Sequence, residues 1–194
     1  RGVPLSAIDL IKNLLISVSD DDGKSDDAYY KWKKILSYLG EDYSVQERFF
    51  RQFYNAYRDE LNEPYKAEGK VKYALGYLAT KSTILDIYEK LIKTDYEKFL
   101  NRVKKEASNY SILINNASED DIIEELVQPL FNLDKIQGAP SYILLLYLLS
   151  KKAELNLNNK IIANIINYLT KFFVRRNITD YPNTRNLTKI FMDL

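Results

Sequence analysis

A chain of 194 residues is long enough to bury one good core and short for two complete domains. Its 28 basic and 27 acidic residues nearly cancel, so bulk charge alone does not make it a polyanion binder. The absence of histidine and cysteine excludes Ser-His-Asp triads, His-Cys pairs, His-metal nuclease sites, HExxH peptidases, disulfide frameworks and thiolate metal sites, leaving Asp, Glu, Lys, Arg or Tyr for any catalysis.

The charge is uneven along the chain. Asp20, Asp21, Asp22, Asp26 and Asp27 crowd one early loop, whereas Lys151, Lys152, Lys160, Lys171, Arg175, Arg176, Arg185 and Lys189 outnumber Glu154, Asp180 and Asp193 near the end, so a local basic face stays open. The opening RGVPLSAIDLIKN carries Asp9 inside its apolar run and no small-residue cleavage site, which is not a signal peptide. The longest apolar run, Tyr142 to Leu149, is far shorter than the roughly 20 residues needed to cross a bilayer. The expectation is a cytoplasmic protein with no membrane partner, and a first residue of Arg rather than Met points to a piece of something longer.

Ser6 followed by Asp9 resembles a capping box, and Leu5, Ile8, Ile11, Leu14 and Leu15 supply a helical stripe that should run to about Ile16. The loop SDDDGKSDD separates it from AYYKWKKILSYL, a second helix ended by Gly40. Ser44 with Glu47 forms a full capping box for VQERFFRQFYNAYRDEL, which stops before Pro64, and a charged connector follows from Lys66 to Lys70. Val71 to Lys93 reads as helix with a break near Lys81 to Thr83. Thr94 with Glu97 opens the next, through Val103 to about Ile114. Ser118 caps ASEDDIIEELVQ, whose early acids suit the positive end of a helix dipole. Pro129 and Gly138 bracket a short helical turn, and Pro140 starts SYILLLYLLSKKA, apolar on nearly every side and expected to be the central buried helix. Strict alternation is rare, and glycine and proline are too few for a sandwich or barrel. The fold class is therefore all-α, a single multi-helix bundle of about eight to ten helices over residues 1–194.

Three constellations have ordinary explanations. Gly23-Lys24-Ser25 is the tail of a phosphate-binding loop, but Val18 stands where the first glycine is required, and the same loop fails as an EF-hand. Tyr29, Tyr30 and Trp32 interleave with Lys31, Lys33 and Lys34, a mixture that could bind single strands, yet helical spacing puts the tryptophan on an apolar face and the lysines away from it. Glu119, Asp120, Asp121, Glu124 and Glu125 are accounted for by first-turn dipole stabilisation without a metal.

The last quarter is less easily dismissed. Ile161, Ile162, Ile165, Ile166, Leu169, Phe172 and Phe173 make one broad helical face that runs into Arg175 and Arg176, then a polar turn from Asn177 to Asn183, and a short helix from about Thr184. Paired arginines at a helix end suit phosphate or carboxylate, with Asn177, Asn183, Thr184, Arg185 and Asn186 as further donors. They equally suit capping of the helix C-terminus and pairing with Asp180. Both readings stay open.

Two segments carry a family resemblance. RGVPLSAIDLIKNLL, from Arg1 to Leu15, resembles the "RGxxLSxxDLIKN" segment of the GmrSD-type restriction endonuclease family. FFVRRNITDYPNTRNLTKIFMDL, from Phe172 to Leu194, resembles its later "RR…N…F" segment. The resemblance implies a helical body following a ParB-like core whose Asp-Gly-Gln-Gln-Arg motif lies upstream of Arg1, with an HNH-type nuclease region downstream in many members. It implies nucleotide-dependent restriction of modified foreign DNA by the parent protein, with nucleotide triphosphate and Mg²⁺ as that protein's cofactors and none in this fragment. Leu5, Ile8, Asp9, Lys12 and Asn13 are then expected against the absent core, and Arg175, Arg176, Asn177 and Asn186 against a phosphate of DNA or nucleotide; catalytic and metal residues are expected nowhere. The expected partners are DNA and the rest of the parent protein, with a homo-oligomer left open. The competing expectation is a helical protein-interaction module with no nucleic-acid role, and an independent enzyme comes last.

Overall fold

The computed structural model describes residues 5–65 and 72–194. Arg1 to Pro4 of the first resemblance segment, the connector Lys66 to Lys70 and the expected helix start at Val71 lie outside the described residues. Among the described residues there are nine α-helices, three short 3-10 turns and no strand, so the chain is all-α. It forms two compact units, Arg1–Ala107 and Ser108–Leu194, with the boundary inside a helix.

In the first unit, α1 (Ala7–Asp20) opens with the expected box: Ser6 Oγ accepts from Asp9 N at 3.1 Å and Asp9 Oδ2 accepts from Ser6 N at 3.2 Å. It outlasts its expected end because the chain closes on Gly23 instead, at φ 66°. Gly23 N donates to Asp20 O and Lys24 N to Ser19 O, both at 2.9 Å, the paired bonds of a Schellman closure. The phosphate-loop tail is thus a helix terminator, and Lys24 Nζ pairs with Glu97 at 2.5 Å.

The second helix, α2 (Ser25–Leu39), ends as expected at Gly40, whose N–H bonds Leu36 O at 3.0 Å with φ 77°. For α3 (Tyr43–Ala56) the cap is Asp42, not Ser44: its Oδ1 accepts from Ser44 N at 2.8 Å, so the serine lies inside the helix. The expected continuation to Leu61 is interrupted at Tyr57, φ −116°, before the short α4 (Arg58–Asn62) and a 3-10 turn at Glu63–Tyr65.

Residues 72–83 are turns rather than helix. Leu75 and Ala79 are buried four positions apart, which imitates a helical period, but side-chain amides hold them. Leu75 N donates to Asn62 Oδ1 at 2.9 Å, while Asn55 accepts from Ala79 N at 2.8 Å and donates to Ala79 O at 3.2 Å. The long α5 (Ile84–Leu113) breaks at Asp95, φ −164° and ψ 88°, where Oδ1 accepts from Lys98 N at 2.9 Å. The expected cap, Thr94, turns back instead and donates to Lys90 O at 2.8 Å. A two-oxygen acceptor reaches the third amide onward better than a hydroxyl already bonded to the preceding turn.

The core of this unit sets α1 against α2 and α3. Rings run through it in series: Trp32 stacks on Phe50 at 5.4 Å, Phe50 meets Tyr88 edge-on at 5.4 Å, and Tyr88 meets Phe99 at 5.5 Å. Two buried tyrosine hydroxyls find acceptors, Tyr88 at Phe50 O (2.7 Å) and Tyr57 at Glu106 Oε2 (2.8 Å).

In the second unit, the acids after Ser118 form a 3-10 turn, Glu119–Asp121, and two extended isoleucines follow before α6 (Glu124–Lys135) begins. Pro129 lies within α6 rather than bounding it. As the sixth residue of α6 it lies past the first turn, so it forgoes the bond its N–H would have made to Glu125 O. The short α7 (Tyr142–Ser150) buries Tyr142, Ile143, Leu145, Leu146 and Leu149. Against α6 lies α8 (Asn159–Thr179), capped by Asn158 Oδ1 on Ile161 N at 2.9 Å, and α9 (Thr184–Met192) packs on α7. Phe173 stacks on Phe191 at 6.0 Å, fastening α8 to α9. Among the described residues no helix is long and apolar enough to cross a membrane.

Candidate functional site

The arginines do not end α8. The helix runs one turn past them to Thr179 and stops at Asp180, in the left-handed region at φ 52° and ψ 23°. Asn177 is therefore helical, and the polar elbow is only Asp180 to Asn183. The restart at Thr184 is as expected, with Asn183 Oδ1 accepting from Asn186 N at 3.3 Å.

Arg176 builds this elbow. Its Nε donates to Pro182 O at 3.1 Å, Nη1 to Asn177 Oδ1 at 3.2 Å, and Nη2 to Thr184 Oγ1 at 2.7 Å and Asp180 Oδ1 at 3.4 Å. Four of the guanidinium's five donors are thus spent on its own chain, and the side chain is only 17% exposed. Asn177 extends the network in the other direction, donating from Nδ2 to Ile136 O at 3.3 Å, where α6 ends. Arg175, about 100° round the helix, is exposed, as are Arg185 and Asn186. The structure joins Arg176 and Asn177 in one bonded cluster and leaves Arg175 and Asn186 in solvent.

At the other end of the chain, Ile8 is buried between helices of its own unit, and its N–H donates to Tyr43 Oη at 3.2 Å. Asp9 is held by Ser6, whose hydroxyl bond keeps its carboxyl below the usual range. Burial pushes the Tyr43 phenol up. Leu5, just before α1, and Asn13 are exposed and Lys12 is half-buried, while Ile8 is part of the core.

No family model, curated protein or solved structure matches this chain. The family expectation thus stands on the two segments themselves. Among the described residues no group of three or more acidic side chains is placed to hold a metal ion. The acidic run after Ser118 is exposed, and Ser118 Oγ donates to Asp121 Oδ2 at 2.6 Å within it.

The basic surplus near the end of the chain is readable in the sequence, but the site expected from it is confined to the end of α8 rather than to the helix as a whole. Its 21 residues include Lys160, Lys171, Arg175 and Arg176 and not one Asp or Glu. That signal was readable from the chain alone. Pairing of Arg176 with Asp180 was one of the readings left open, but its further partners Pro182 O and Thr184 Oγ1 come into reach only once the elbow has formed.

Proposed function

We propose that this chain is the helical scaffold region of a modification-dependent and nucleotide-dependent DNA restriction endonuclease, contributing contact to a DNA or nucleotide phosphate without catalysing the reaction itself. The parent protein, on this reading, is a cytoplasmic enzyme of phage defence that takes nucleotide triphosphate and Mg²⁺ elsewhere in its chain. The observation that supports it is the division of labour between two adjacent arginines: Arg176 is locked into the elbow, and Arg175 stands beside it exposed, its guanidinium bonded to no other described residue. An arginine fixed at its base by a rigid neighbour and open at its tip suits a phosphate oxygen.

The test is fluorescence anisotropy with a labelled duplex across a salt series. Arg175→Ala should weaken binding and flatten the slope of log affinity against log salt by about one phosphate's worth. Binding that is indifferent to Arg175→Ala removes the assignment. The competing reading, a protein-interaction module, draws on Ile178 and Tyr181, which are 80% and 79% exposed beside the same elbow. It predicts no salt-dependent DNA binding at all.

A further inference from the structure

The outer surface of α8 has an order that its charge alone does not require. The helix buries Ile162, Ile166, Leu169 and Phe173. Taking about 100° per residue, Lys160, Asn164, Asn167, Lys171 and Arg175 fall within roughly 80° of one another, centred opposite that buried line. All five are exposed, and among the described residues none of their side chains has a hydrogen bond or ion pair within the chain. Lys171 is steadied only by the ring of Tyr168, 5.5 Å away, itself 73% exposed. From Asn164 to Arg175 is about 16 Å of helix, the length of roughly five base-pair steps.

We infer that the outer line of α8 is a duplex-reading face that enters the major groove of DNA, with Asn164, Asn167 and Lys171 on base edges and Lys160 and Arg175 on the backbone. This rests on the proposed function and gives its DNA contact a form. Three features favour this occupant. A helix lacking any carboxylate along its length matches a polyanion. The ordinary diameter of a helix, about 10–12 Å, fits the roughly 12 Å major groove. Apart from Ile178, which lies on the same arc at its far end and is 80% exposed, the line is made of amide, ammonium and guanidinium groups, the groups that bond adenine and guanine edges, rather than of a run of leucine and phenylalanine that would sink into a lipid surface. A single strand would draw mainly on stacking by Tyr168, which flanks the line rather than lying on it.

The experiment uses the full chain with three probes: a labelled mixed-sequence duplex of about two helical turns, the corresponding single strand, and phosphatidylglycerol vesicles. All substitutions fall on exposed side chains, and thermal unfolding confirms each variant's fold. The inference expects tighter binding to duplex than to single strand, a tenfold or greater loss for the Asn164→Ala/Asn167→Ala pair and for Lys171→Ala, and a recovered base preference on selection from a randomised duplex pool that this pair relaxes. Equal or tighter binding to the single strand or to vesicles overturns it. So does duplex binding that the asparagine pair leaves unchanged while Arg185→Ala weakens it, a result under which the proposed function survives. Absence of DNA binding by the unaltered chain at low salt overturns both.

Discussion

Arg176 reaches from the last turn of α8 to Thr184, the first residue of α9, and donates from Nη2 to its Oγ1 at 2.7 Å. The same guanidinium holds Pro182 O and Asp180, so one side chain fixes the angle between two helices across a four-residue elbow. Behind it, Phe173 stacks on Phe191 and Leu187 is buried. Arg176→Ala therefore removes the polar half of a joint whose apolar half remains. The expected cost is about 1–3 kcal/mol, since hydrogen bonds from a charged donor that is mostly out of solvent are lost together. Arg176→Lys should recover little of it, because a single ammonium cannot address acceptors arranged around a planar fork. Urea unfolding of both variants checks this; full recovery by lysine shows that charge rather than geometry holds the elbow. Arg175→Ala, on the exposed side, should stay within about 0.5 kcal/mol of the parent.

The turns at 72–83 depend on two asparagines in a comparable way. Asn55 is buried and returns both hydrogen bonds of Ala79, and Asn62 accepts from Leu75 N while donating to Tyr54 Oη at 2.9 Å. Asn55→Ala leaves a buried N–H and C=O without partners and should cost about 2 kcal/mol. Asn55→Asp keeps the acceptor, loses the donor and buries a charge, and should cost at least as much. Hydrogen exchange localises the effect: in Asn55→Ala the Ala79 amide should lose protection more than amides of α2. Uniform loss over the whole unit shows that this segment does not open by itself.

These asparagines also explain where the sequence stopped being legible. The helical stripes at α1, α2 and α8 were readable because burial at i, i+3 and i+4 coincides with backbone bonding at i, i+4, and glycine at Gly40 marks an end by its own chemistry. Residues 72–83 carry the burial spacing without helical backbone bonds, and are held instead by Asn55 of α3 and Asn62 of α4, so periodicity misled. The break at Asp95 was misplaced by one residue because Thr94 and Asp95 are both competent caps, and only the tertiary path decides between them. The Arg176 cluster was one of two readings the residues allowed. Its bonds to Pro182 O and Thr184 Oγ1 depend on a distance that no local pattern encodes. The acid-free composition of α8 was in plain view, but its single outward line appears only once Ile162, Ile166, Leu169 and Phe173 define the inside.

The capping box gives a pH dependence. Asp9 is held below its ordinary carboxyl value chiefly by the Ser6 hydroxyl, with Ser6 N–H and Lys12 adding to the effect. A group depressed in the folded state contributes stability above its unfolded value, about 4, and loses that contribution as pH falls through the folded value. The site is open to solvent, so the contribution should be a few tenths of a kcal/mol. Asp9→Ala should therefore be less stable than the parent at pH 7, with the gap closing toward pH 3. Urea midpoints at both pH values test it, and a gap that widens in acid contradicts the assignment of Asp9 as an ionised cap.

Tyr88 provides the alkaline counterpart. It is fully buried, burial pushes its phenol well above the ordinary range with Tyr54 adding to the shift, and its hydroxyl donates to Phe50 O at 2.7 Å. Here the sign reverses. A group whose folded value is raised contributes stability below its unfolded value, about 10 for tyrosine, and that contribution drains away as pH climbs above it, because the unfolded chain ionises first. Tyr88→Phe keeps the ring contacts with Phe50 and Phe99 and removes only the hydroxyl, so near pH 7 it should cost about 1 kcal/mol for one buried hydrogen bond. Above pH 10 the parent loses stability through Tyr88 and the phenylalanine variant does not. The difference between them should shrink and then invert, while the remaining tyrosines titrate equally in both. Urea midpoints at pH 7 and pH 11 decide it: a constant difference shows that the Tyr88 hydroxyl is reached by solvent before the unit unfolds.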